Sequence, residues 1–160
     1  MITGEGSWLR SSYKGLVIGE NIFASFLLLL IRLYWGWMLI FTGFGKWLHL
    51  EATGEFFASL EIPLPYIVAG IVGAIEFIGG ISILLGLFAR ILTIPLIVIF
   101  VFAYFLAHGE AVAKVFSNPD LLTKQEPFLF LFVTLIILCF GSGFISFDYW
   151  IERKNFGKAL

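Results

Sequence analysis

Charge is scarce in this sequence. Only 13% of its 160 residues are Asp, Glu, Lys or Arg, and the formal net charge is -1. A soluble domain carries about a quarter of its residues as charges. The near-zero balance removes the electrostatic footing for binding nucleic acid. Cysteine occurs once, as Cys139. That excludes an internal disulfide, a CxxC redox pair and a cysteine-ligated metal. In its apolar run Cys139 reads as a small buried hydrophobe. The two histidines, His49 and His108, have no HxxxH or ExxH spacing, so no metal site is expected. No axial pairing for haem can be read from them, and there is no NAD, FAD or nucleotide motif. The first 20 residues carry Glu5, Arg10, Lys14 and Glu20 and no apolar h-region, so a secretory signal peptide is not expected.

What remains is apolar. Hydrophobic residues make up 60% of the chain, and the mean hydropathy is +1.00. Lipid is therefore the expected solvent. Four apolar segments stand out, at 22–48, 65–88, 91–107 and 127–147. A membrane-spanning helix needs about 20 residues. The expected fold is an all-α membrane protein, a four-transmembrane-helix antiparallel bundle. Ala89 and Arg90 make a tight turn between the second and third helices. Pro127 suits the first turn of the fourth. "EFFASLEIP" sets Phe56, Phe57, Leu60 and Ile62 among acids, which reads as a short interfacial helix or a loop packed over the bundle mouth.

One side of the membrane would hold 1–21, the turn at Arg90 and the tail 148–160, with Arg10, Lys14, Arg90, Arg153, Lys154 and Lys158. The other would hold Lys46, Lys114 and Lys124. The positive-inside rule then places both termini in the cytoplasm and the helices in the cell (inner) membrane.

Charges inside the apolar segments are costly and tend to face a bundle interior. Arg32, Gly36, Gly43 and Lys46 share one helical face, and Glu76, Gly80 and Arg90 share another, flanked by Gly73 and Gly79. Small residues let helices approach closely, so these two faces should meet. Counting depth at about 1.5 Å per residue pairs Glu76 with Arg32, with Lys46 the alternative. The tilt of helical side chains toward their N-termini favours Lys46. At the opposite end Lys46, Tyr104, His108 and Glu126 should gather at a mouth. Such groups can hydrogen-bond the carbonyl oxygens of a quinone and exchange protons with it.

The chain resembles the DoxX family. The resemblance rests on "IRLYWGWMLIFTGFGKWL" with Arg32, Gly43 and Lys46. It also rests on "FFASLEIPLP", and on "IEFIGGISILLGLFAR" with Glu76, Gly79, Gly80, Gly86 and Arg90. His108 and "EPFLF", which carries Glu126, complete it. It implies a four-helix membrane protein. It also implies Arg32, Lys46, Glu76, Arg90, His108 and Glu126 as candidate polar-site residues. The family takes its name from a subunit of an archaeal terminal oxidase and thiosulfate:quinone oxidoreductase system. By that likeness the chain is a quinone-interacting subunit that is not self-sufficient as an enzyme. A protein partner would hold the donor site, and the chain could form a homo-oligomer. The same resemblance, which extends to a eukaryotic cargo receptor, leaves an assembly or cargo-type subunit open. The buried charges leave a small-molecule or proton transporter open.

Overall fold

The computed structural model describes residues 5–156, and side chains from residue 19 to residue 154, apart from Asn21. The side chains of Trp8, Arg10 and Lys14, and all of Lys158, lie outside the described residues. Every regular element among them is helical. The order is α1 (Glu5–Leu48), α2 (Leu50–Ser59), α3 (Pro65–Leu85), α4 (Ala89–Ala107), α5 (Gly109–Ala113), α6 (Pro119–Thr123), α7 (Glu126–Phe140) and α8 (Phe147–Phe156). Among the described residues three stretches are long and apolar enough to cross a membrane: Ile22–Leu48 of α1, and all of α3 and α4. α7 is apolar but shorter, at 15 residues.

α1 packs along α3, α3 meets α4, and α4 packs along α7. Glycine sets the first of these contacts. A Cβ on Gly43 would fall 2.5 Å from Phe77 N and 2.6 Å from Gly73 O, and one on Gly80 would fall 2.7 Å from Ile40 N. The two backbones therefore touch, as small residues permit, and the register sets Gly36 beside Leu84 and Gly43 beside Phe77. Gly79 turns to the other neighbour, Leu96 of α4. Gly43→Leu should force α1 and α3 apart and cost about 1–3 kcal/mol. A melting curve in detergent unchanged from wild type would rule out this contact.

α3 ends in a Schellman motif. Gly86 takes φ +65°, Leu87 N donates to Ser82 O (3.0 Å) and Gly86 N to Ile83 O (3.2 Å). α7 ends seven residues before the apolar run does. Gly141 and Gly143 take φ +77° and +75°, and the irregular segment between α7 and α8 offers its carbonyls to α1. Hydropathy cannot register that use of the backbone. Cys139 is exposed rather than buried, because the core-facing positions of α7 are Val133, Thr134 and Ile137.

Candidate functional site

A cavity of about 760 Å³ lies between the upper halves of α1, α3 and α4. That is within the usual range for small-molecule sites. Phe56 and Phe57 of α2 and the following Leu60 and Ile62 form one wall, so the short helix after α1 covers the cavity. α2 is held on α3 by Gly54, whose Cα packs against the Tyr66 ring. Phe100 and Phe130, stacked with centroids 5.5 Å apart, close the side toward α7.

Polar groups enter at two levels. Lys46 and Glu76 line the cavity and are joined, Lys46 Nζ donating to Glu76 Oε2 at 2.5 Å. The Glu76 side chain is 6% exposed and that of Lys46 24%. His108, Lys124, Gln125 and Glu126 line the other level, where α4 ends and α7 begins. Thr42 and Gln125 line the cavity too. Neither stands out in the sequence, since a single amide or hydroxyl near an apolar run has many uses.

Arg32 does not pair with Glu76. The α1–α3 register explains why. Arg32 reaches Gly86, ten residues and about 15 Å along the helix from Glu76. An entry of α1 into the membrane at residues 22–25 would set Arg32 deeper, near the level of Glu76. Instead, Arg32 itself sits level with the end of α3. Lys46 starts about one turn above Glu76 and leans back toward it, as helical side chains do.

Arg32 has a different task. It is 1% exposed, and its guanidinium donates to Ile83 O (2.8 Å), Leu84 O (3.2 Å), Ser142 O (2.6 Å) and Ile145 O (2.8 Å). It caps the C-terminal end of α3, where the helix dipole is negative, and pins the segment after α7. A Cβ on Gly86 would fall 2.6 Å from Arg32 Cζ, so only glycine leaves room. Asp148 supplies the neighbouring negative charge. Its carboxylate accepts from Phe88 N (2.7 Å), Ala89 N (3.3 Å) and Ser142 Oγ (3.2 Å). It thus caps the N-terminus of α4, which has no side-chain cap of its own. The sequence hid this role, because Asp148 is 60 residues from the helix it caps.

The other expected members separate. Tyr104 is buried and donates to Leu122 O at 2.9 Å, tying the α6 segment to α4. It touches His108 edge-on, with centroids 6.1 Å apart, but does not line the cavity. Arg90 is exposed at the far end, with its guanidinium over Gly141. Glu110 bonds Lys114 at 2.5 Å, and that ammonium holds its carboxyl below the usual carboxylate range. Among the described residues no group of three or more His, Cys, Asp or Glu side chains comes together as a metal site.

A family model described as DoxX matches residues 27–109, just over half of the sequence. The chain belongs to the DoxX family. With three apolar helices of spanning length, it is a multi-pass integral membrane protein. The matched DoxX stretch contains Arg32, Lys46, Glu76, Gly86, Arg90 and His108, and stops before Glu126 and Asp148. A Bacillus subtilis (strain 168) protein bearing the name "Putative oxidoreductase CatD" is 30% identical over 129 residues. These make up 79% of this DoxX chain and 90% of that protein. No solved structure matches the chain significantly.

Proposed function

We propose that this DoxX protein is a membrane subunit of an oxidoreductase system and that its cavity holds a quinone. In this reading α1, α3, α4 and α7 cross the inner membrane as an antiparallel four-helix bundle with both termini cytoplasmic. The cavity end then faces outward. The observation that carries the proposal is the cavity's makeup. It has apolar walls, a Lys46–Glu76 pair on one side, and His108, Gln125 and Glu126 together at the level where α4 ends. The name of the Bacillus subtilis relative agrees with an oxidoreductase role.

The residues fit such a ligand. A quinone needs donors for two carbonyl oxygens and an apolar sleeve for its tail. A bound quinone would supply the two-electron, two-proton chemistry. Lys46 Nζ would donate to one oxygen while Glu76 fixes its position. The His108 ring and the Gln125 amide would meet the other. Glu126 would pass protons at the mouth. The electron donor would bind a partner protein.

The test is mass spectrometry of an organic extract of protein purified in mild detergent. Wild type should carry quinone near one per chain, and His108→Ala at least tenfold less. Quinone absent from wild type, or equal in both proteins, would overturn the proposal.

The Lys46–Glu76 pair, with its carboxylate buried, favours a second reading, a proton-coupled transporter. It predicts substrate flux in proteoliposomes that is lost in Glu76→Gln.

A further inference from the structure

The cavity is not confined to the interior. Around α4, taken at 100° per residue, the core face is marked by Ala89, Thr93, Leu96, Phe100 and Tyr104, all buried. The outer face is marked by Ile91, Ile94, Val98, Phe102 and Phe105, all exposed. The cavity lines neither face alone. It takes in Phe100 on the core side, then Ile99 and Ala103, and reaches Val98 and Phe102 on the outer side. Val98 is 48% exposed and Phe102 60%. The empty space thus runs round the flank of α4 to the surface that faces lipid.

The helices leave room for this. α3 and α4 are joined at the hairpin by the turn at Gly86. They touch at Gly79 and Leu96, where a Cβ on the glycine would fall 2.7 Å from Leu96 Cδ1. Above that level the space between them is cavity, with Val68 and Val72 on one side and Val98 and Phe102 on the other. α2 packs on α3, while α4 packs on α7. Phe56 and Phe57 of α2 line the cavity beside this seam, and Phe56 is itself 52% exposed.

We propose that this α3–α4 seam is a lateral portal to the bilayer. The quinone enters through it from the hydrocarbon, and its isoprenoid tail stays in the seam against Val98 and Phe102. The proposal rests on the quinone reading for the ligand's identity, but the portal is a property of the fold. It makes the substrate class a membrane-dissolved, long-tailed quinone rather than a water-soluble one. A tail lying in a seam lined by Val68, Val72, Val98 and Phe102 keeps its apolar surface away from water, which a mouth lined by Lys124 and Glu126 cannot do.

Two measurements separate the portal from the ligand. In the first, Val72→Cys in a Cys139→Ala background is labelled with bimane and placed in vesicles of phosphatidylcholine brominated on its acyl chains. An open seam admits acyl chains, so quenching should reach at least half of that at Ile71→Cys, which faces outward. Quenching as low as at Glu110→Cys, in the segment after α4, would overturn the portal whatever the ligand is. In the second, wild type and Val98→Trp are loaded with an isoprenoid quinone from vesicles, and separately with a tail-less benzoquinone from buffer. Val98→Trp should slow the first at least tenfold and leave the second within twofold. Equal slowing of both, or of neither, would overturn the portal. Wild type binding neither quinone would overturn the quinone reading, and the bimane result would then decide the portal alone.

Discussion

Arg32→Met is expected to lower the melting temperature in detergent by about 10 °C or more. The side chain is fully buried and gives four hydrogen bonds to main-chain carbonyls from two separate segments. Methionine matches its apolar stem but leaves those carbonyls without donors in a site from which water is excluded. Losing a buried charged partner costs about 3–5 kcal/mol, and each 1 kcal/mol moves a domain of this size by about 2–4 °C. Arg32→Lys should recover less than half. An ammonium is a point charge and cannot span Ile83 and Ser142 as the guanidinium fork does. The damage should be local first, with hydrogen exchange rising in 141–147 before it rises in α2. A variant melting within 2 °C of wild type would show that the four contacts do not support the fold.

Glu76 should behave differently, and the difference distinguishes its two candidate partners. Glu76→Leu alone leaves the Lys46 ammonium unpaired at the cavity wall and should cost about 3 kcal/mol. Adding Lys46→Met should restore much of that loss, since an apolar pair replaces an ionic one of similar volume. Adding Arg32→Met instead should restore nothing. The two losses should add within about 0.5 kcal/mol, as for sites that share no contact. Melting curves of the six proteins, wild type included, measure both couplings. Coupling between residues 32 and 76 larger than that between 46 and 76 would contradict the register of α1 on α3.

The helices were legible in the sequence where composition alone decides them. Glycine at 36, 43, 73 and 80 announced the α1–α3 contact, because no other residue makes a close backbone approach useful there. The ends of helices were less legible. Residues 141–146, Gly-Ser-Gly-Phe-Ile-Ser, carry no charge and include Phe144 and Ile145, so hydropathy carries the fourth helix on to Phe147. Gly141 and Gly143 at positive φ, and the demand of Arg32 for carbonyls, stop it at Phe140. The charged residues show the same limit. Face and spacing picked out Arg32, Lys46 and Glu76 as interior. Their pairing depends on the offset between two helices, which is a tertiary quantity. Asp148 was invisible as a cap because its acceptors serve the main chain of a distant helix. Tyr104 sits one turn before His108, yet a phenol points along its ring, and this one ends on Leu122 rather than in the cavity.

The proposed quinone would sit in the cavity beside Lys46, Glu76 and His108. The most direct measurement is photolabelling of wild type in vesicles with an azido-quinone, followed by peptide mapping. Adducts on 98–108 of α4 and 56–62 of α2, removed by excess unlabelled isoprenoid quinone and lost in Glu76→Leu with Lys46→Met, are the predicted result. Adducts spread along the outward faces of α1 and α3 and unaffected by competitor would contradict it.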